Sequence, residues 1–253
     1  MMKKTELFSF SPTGGTRKVG ETFAGALAED VVYIDLMDRD VQQLEASGDV
    51  IVVAVPVFGG RIPNLAAEKL KTLKGVGKRA VTLAVYGVRA YEDALAEVND
   101  ILTAGGFKVI ASAACIAQHS MLASVGAGRP DEQDVSAIKA FAQQVEEKLA
   151  AGDAEAVDVP GNRPYKEDMK VAQTPITGEG CIGCGVCVEV CPKAALSIVD
   201  GKAETEKELC MLCMACVPAC PADARSLAPA HQAGIQERLG SFAEVYRENE
   251  FFL

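Results

Sequence analysis

Over its first 151 residues the chain alternates two hydrophobic patterns. Residues 5–10, 31–36, 50–55, 80–86 and 108–116 are short, nearly continuous apolar runs, as in strands buried on both faces. Between them apolar residues recur at helical spacing, as in Val19/Phe23/Leu27, Leu65/Leu70/Leu73 and Leu95/Val98/Leu102. A last such segment carries Val135, Ile138, Phe141, Val145 and Leu149. This alternation predicts an α/β fold, a doubly wound parallel sheet of five strands with helices on both faces. Sheets of that kind bind ligands beyond the carboxyl ends of their strands.

The pattern stops at residues 152–175, where Gly152, Pro160, Gly161, Pro164 and Pro175 interrupt any periodicity. That stretch reads as a linker that wraps or tethers. A cysteine-rich segment follows at 176–230, then a tail at 231–253. Ile235, Leu239, Phe242 and Tyr246 share one helical face, so the tail is expected to be helical and docked on one of the domains.

Composition narrows the function classes. The 253 residues are 49% hydrophobic and carry a formal net charge of −10. That permits a sizeable core and argues against nucleic-acid binding, which needs a cationic surface. Residues 1–151 hold 16 basic and 19 acidic side chains, and 152–253 hold 9 and 16, so the negative charge concentrates in the second part. The start, MMKKTELFSF, has no apolar core of a signal peptide, and the longest apolar run, 50–58, contains Pro56. A bilayer span needs about twenty apolar residues. The expectation is a cytoplasmic protein with no membrane partner, in which clustered cysteines hold metal rather than form disulfides. Nothing in the sequence fixes an oligomeric state.

Eight of the nine cysteines lie in two runs. Cys181, Cys184, Cys187 and Cys191-Pro192 have the spacing C-x2-C-x2-C-x3-C-P, repeated 29 residues later by Cys210, Cys213, Cys216 and Cys220-Pro221. Zinc sites favour paired knuckles or Cys/His sets, a poor match to two complete four-cysteine runs. Residues 176–230 resemble the bacterial-type 2[4Fe–4S] ferredoxins, an α+β domain. The resemblance implies one [4Fe–4S] cluster on Cys181, Cys184, Cys187 and Cys220 and a second on Cys210, Cys213, Cys216 and Cys191. Cys115, in an apolar run, is expected to be inert packing.

The first strand runs into Ser11-Pro12-Thr13-Gly14-Gly15-Thr16 and a helix, a turn whose N–H groups and hydroxyls suit an anion. It is neither a Walker A loop nor G-x-G-x-x-G. The turn resembles the phosphate loop of flavodoxins. Two later segments fall where that family places its ring loops: Phe58-Gly59-Gly60-Arg61 after strand three and Gly87-Val88-Arg89-Ala90-Tyr91 after strand four. The resemblance implies FMN, with its phosphate on residues 11–16, Tyr91 stacked on the ring and Phe58 over the other face. Gly59 and Gly60 would permit a peptide flip, and Arg61 or Arg89 would favour an anionic reduced flavin. The whole chain is similar to flavodoxin/ferredoxin fusion proteins of anaerobes.

That likeness implies an electron carrier passing electrons between two clusters and FMN, with redox proteins as partners. The alternative is an FMN-dependent oxidoreductase reducing a small organic acceptor with electrons supplied through the clusters. A redox-sensing scaffold is a third class. No catalytic residue stands out except His119, a candidate hydrogen-bond donor or acid that reads equally well as a packed loop residue. The acidic stretch 204–208 reads as a solvated turn or a surface that steers a cationic partner.

Overall fold

The computed structural model describes residues 2–152 and 155–253; Asp153 and Ala154 of the expected linker, and Met1, lie outside the described residues. The first part contains β1 (Met2–Ser9), α1 (Gly15–Leu27), β2 (Ala28–Asp35), β3 (Val50–Pro56), α2 (Asn64–Leu70), β4 (Arg79–Tyr86), α3 (Ala94–Ala104), β5 (Lys108–Ile116) and α4 (Glu132–Ala150). After it come β6 (Ile176–Thr177), α5 (Val186–Glu189), β7 (Leu196–Val199), β8 (Lys202–Thr205) and β9 (Arg225–Ser226). The tail holds α6 (Pro229–Leu239), a 3-10 turn (Gly240–Glu244) and β10 (Glu250–Phe252).

Strands one to five are parallel in the order β2-β1-β3-β4-β5, the doubly wound arrangement. Side chains alternate across it: Phe8, Ile51, Val53 and Val55 pack with α2 and α3, whereas Leu7, Val52, Ala54 and Leu83 pack with α1 and α4. Both faces are covered, which is why the strands read as unbroken apolar runs. Gly20 lets α1 lie close on the sheet, since a Cβ there would stand 3.0 Å from Leu7.

The sheet has six strands, not five. β10 pairs antiparallel with β5, Phe251 opposite Ala113 and Phe252 opposite Ser112. The expected helical tail is corrected accordingly: helix ends at residue 244 and the chain then extends. Three residues are too few for a period-two pattern to register. The exposed edge of β5 supplies the driving force, and Phe251 meets Phe141 at 4.7 Å between ring centroids. Ile235, Leu239 and Phe242 pack beside Tyr86 and Ile116 at the carboxyl edge of the sheet. Tyr246, past the turn, instead donates to Gln133 at 3.1 Å.

Residues 155–175 form a strap over the α2–α3 face. Val157 donates to the Val109 carbonyl at 2.9 Å and Val159 is buried. Asp93, just before α3 and 1% exposed, accepts from the Asn162 N–H (2.7 Å), the Asn162 amide (3.0 Å) and the Lys166 N–H (2.8 Å). Burial alone would raise the Asp93 pKa, but these donors and the nearby Arg61 outweigh it and hold the carboxyl below its usual range. A depressed carboxylate stabilises the fold at pH values above its unfolded pKa of about 3.9, and that contribution fades as pH falls through the folded value. Asp93→Asn is therefore expected to cost about 1–3 kcal/mol at pH 7. In denaturant titrations the gap between variant and wild type should close as the pH drops below 4; a gap constant with pH would contradict the charged role.

The duplicated cysteine runs share a backbone trace. Residues 29 apart both take positive φ: Gly183 and Leu212 (66° and 56°), Gly185 and Met214 (81° and 68°), Ala194 and Asp223 (49° and 48°). Only the first repeat has glycine at the first two positions. The left-handed conformation costs Leu212 and Met214 about 1–2 kcal/mol each. Burying each side chain contributes about 1.5–3 kcal/mol. Leu212 and Met214 are 7% and 4% exposed, in one apolar cluster with Tyr86, Val88 and Ile116, so burial wins. The strained loop thereby seats the cysteine-rich segment on the carboxyl edge of the sheet.

Candidate functional site

Strand order reverses direction between β1 and β3, so the loops after these strands diverge and leave a crevice at their carboxyl ends. Thr13, Gly15 and Thr16 line that crevice with Val57, Phe58, Gly87 and His119, around a small cavity of about 100 Å³. Gly14 stands at φ 88° before α1 and supplies no side-chain cap. Ser11 substitutes: its Oγ accepts the Arg17 N–H at 2.8 Å, so Ser11 shapes the loop. The other first-turn N–H groups lack intrahelical acceptors, and their residues Gly15 and Thr16 line the cavity. Thr16 is buried and Thr13 exposed. Among the described residues no Lys or Arg lines this cavity: Arg17 pairs with Glu21 at 2.7 Å and Lys18 donates to the Pro130 carbonyl at 2.7 Å.

Phe58, Gly59, Gly60 and Arg61 form a tight turn, with hydrogen bonds from the Phe58 N–H (2.8 Å) and the Arg61 N–H (3.2 Å) to each other's carbonyls. Gly59 and Gly60 have φ of 62° and 94°, which the reversal requires. A Cβ on Gly59 would lie 2.9 Å from Met169, and one on Gly60 would meet Glu92, so both glycines sit beneath other chain segments. Arg61 turns away from the crevice. Its guanidinium forms two 2.7 Å hydrogen bonds with Glu97 and lies 4.8 Å from the Tyr165 ring centroid.

Tyr91 also points elsewhere. Its hydroxyl donates to Glu250 at 2.8 Å, its ring meets Tyr86 edge-on at 5.4 Å, and it lines neither cavity at this edge. Arg89 pairs with Glu92 at 2.7 Å and lines a second, larger cavity. His119 lines both cavities, packed on Gly87, where a Cβ would come within 2.7 Å of the imidazole. Burial, then repulsion from Arg89, lowers the His119 pKa. Its Nδ1 accepts the Met121 N–H at 3.2 Å, which leaves the proton of the neutral ring on Nε2. His119 is thus a hydrogen-bond donor rather than an acid, since a neutral imidazole does not give up its last proton.

The larger cavity, about 620 Å³, adjoins the first through shared walls at Val57, Tyr86, Gly87, His119, Met121 and Leu212. The strap covers it with Met169 and Lys170, and α6 covers it with His231, Ile235 and Arg238. Of these only Ile235 carried a signal in the sequence, on the helical face of the tail; folding back of strap and tail brings the others to the sheet edge.

The cysteines are placed differently from expectation. All eight in the two runs are free thiols; Cys184 is exposed and Cys181 and Cys220 are partly exposed. Cys191, Cys210, Cys213 and Cys216 line one small cavity beside Arg225, and burial pushes the Cys213 thiol up to about 12. Among the described residues no group of three or more His, Cys, Asp or Glu side chains is disposed to hold a metal ion. Two [4Fe–4S] clusters, on Cys181, Cys184, Cys187 and Cys220 and on Cys210, Cys213, Cys216 and Cys191, are therefore not supported by the disposition of the thiols, although the second set lines one cavity. That expectation is corrected, and with it the two-cluster ferredoxin domain, the likeness to fusion proteins and the relay of electrons from clusters to FMN. The spacing in a run sets how thiols follow one another along the chain, whereas a site also needs their geometry to converge. Cys115 is fully buried and its pKa is raised by that burial, which suits packing.

Among the described residues no helix is long and apolar enough to cross a membrane. No curated protein matches the chain in sequence. A flavodoxin from Streptococcus pneumonia TIGR4 is 20% identical, covers 59% of this chain and 99% of its own, and superposes with a TM-score of 0.42. A short-chain flavodoxin associated with a PDU bacterial microcompartment is 17% identical over 60% of this chain and 99% of its own, with a TM-score of 0.44. An azoreductase from Bacillus anthracis str. Sterne is 15% identical over 58% of this chain and 100% of its own, with a TM-score of 0.40. Residues 180–224, well under half of the chain, match a family model for the 4Fe-4S dicluster domain (Fer4_7), a likeness of the cysteine runs.

Proposed function

We propose that the chain binds flavin mononucleotide at the carboxyl edge of its sheet and reduces a small organic acceptor there. The observation that carries this reading is the arrangement at the strand-order reversal. A groove lined by Thr13, Gly15 and Thr16 adjoins a larger cavity whose walls combine apolar and cationic side chains. The groove suits a phosphate and the walls at Val57, Tyr86, Met121 and Leu212 suit a flat ring, so the residues present fit the cofactor. A carrier needs its ring edge open to a partner protein, whereas residues of the strap and α6 line part of this rim. Flavin mononucleotide, when bound, would supply two electrons, together as a hydride or one at a time.

The protein's own residues bind and orient. Thr13, Gly15 and Thr16 hold the phosphate end, and Phe58 and Gly87 border the ring. His119, with its proton fixed on Nε2, donates a hydrogen bond into the space shared by both cavities. Buried Leu212 and exposed Met169 border that space.

Titration with flavin mononucleotide should quench its fluorescence at one equivalent. Reduced anaerobically with dithionite and freed of excess, the loaded protein should reoxidise on adding a small nitroaromatic in one two-electron phase. Absence of flavin binding, or reoxidation by cytochrome c but by no small acceptor, would overturn the reading.

A further inference from the structure

The larger cavity has a charge unlike that of the chain around it. The protein carries 35 acidic side chains, yet no Asp or Glu lines this space. Its wall instead holds Arg89, Lys170 and Arg238, from three separate segments. Arg89 shares its one carboxylate, Glu92, with Lys166. Among the described residues Lys170 and Arg238 form no ion pair. A second observation points the same way. His231, on the cavity wall, has a buried Nδ1 with no hydrogen-bond partner, and such an atom costs free energy unless a ligand satisfies it.

We infer that this cavity selects an anionic acceptor, a small organic molecule bearing a carboxylate, with Lys170 and Arg238 as its specificity-determining cations. The inference rests on the function proposed above and adds the substrate class. The cations belong to the strap and to α6, whereas the donors of the phosphate groove belong to the loop before α1. Cofactor and acceptor are thus recognised by different parts of the chain. Lys170 and Arg238 stand exposed at the rim with no carboxylate in the lining to compete for them, and Arg238 can grip a carboxylate with two parallel N–H groups.

The test compares 4-nitrobenzoate with its neutral isostere 4-nitrobenzamide, first by equilibrium binding and then as acceptors for the reduced protein. In reduction to the nitroso compound each takes two electrons and two protons and releases one water. The wild type is expected to bind the carboxylate about tenfold more tightly than the amide. Lys170→Gln with Arg238→Gln should erase that preference by raising KM for 4-nitrobenzoate alone, leaving flavin affinity and the amide unchanged. Lys139→Gln, on the exposed face of α4, serves as the charge control. Equal binding of the two probes by the wild type would overturn the inference while leaving the flavin reading intact. A parallel loss of flavin affinity in the double variant would also overturn it, by assigning the cations to the cofactor. Failure to bind flavin would sink the function proposed above, and carboxylate preference in the binding arm would still decide the inference.

Discussion

Glu97→Ala is expected to destabilise the fold by about 3 kcal/mol, although Glu97 touches neither cavity. The carboxylate is 6% exposed and holds Arg61 through two 2.7 Å hydrogen bonds while accepting the Ile62 N–H at 3.1 Å. Removing it strands a mostly buried guanidinium and orphans a backbone donor in one stroke. Arg61 keeps partial solvent access and two further contacts, the Lys166 carbonyl at 2.6 Å and Asp168 at 3.3 Å, which places the cost at the low end of the range for broken buried pairs. The pair anchors the turn at residues 58–61, and that turn walls the site, so flavin affinity should fall several-fold with stability. Denaturant unfolding and flavin titration of the same variant check both. Arg61→Ala separates structure from direct contact: a fall in flavin affinity with unchanged stability would restore Arg61 as a cofactor ligand.

Arg61 illustrates where sequence reading ends. The five parallel strands and their helices were legible because burial on both faces writes itself as unbroken apolar runs. The loops expected at the crevice came from the resemblance to flavodoxins, and Thr13, Gly15, Thr16, Phe58 and Gly87 line it together with His119. Side-chain direction within those loops was not legible. By resemblance Tyr91 stacks on the ring and Arg61 favours its anionic reduced form, yet Glu250 and Glu97 engage them across the fold. Met169, Lys170, Leu212 and Arg238 reach the site from segments without periodicity or from the tail, and no local pattern marks them. The cysteine runs teach the converse. Their repeat is visible both in sequence and in the paired φ values, but repetition of the backbone does not by itself make eight thiols converge.

Thr13→Ala with Thr16→Ala is expected to weaken flavin mononucleotide binding about a hundredfold. A phosphate dianion in this groove meets no cation, because Arg17 is engaged by Glu21 and stacks on Tyr33 at 4.3 Å, while Lys18 is drawn to the Pro130 carbonyl. Its charge is met only by hydroxyls, by N–H groups of the first turn and by the positive end of the 13-residue helix α1. A hydrogen bond to a charged group contributes about 1.5–3 kcal/mol, so each hydroxyl accounts for about tenfold or more. Thr16, buried at the helix start, should matter more than exposed Thr13. With no side-chain cation involved, affinity should also vary little between low and moderate salt. Gly14→Ala provides the geometric control. A Cβ there meets nothing within 4 Å, so only the strain of φ 88° is added, about 1–2 kcal/mol, and it should appear as lost stability before lost affinity. Circular dichroism establishes that each variant folds, and fluorescence quenching gives its affinity. An unchanged affinity in the folded double variant would remove the phosphate from this loop and with it the placement of the cofactor.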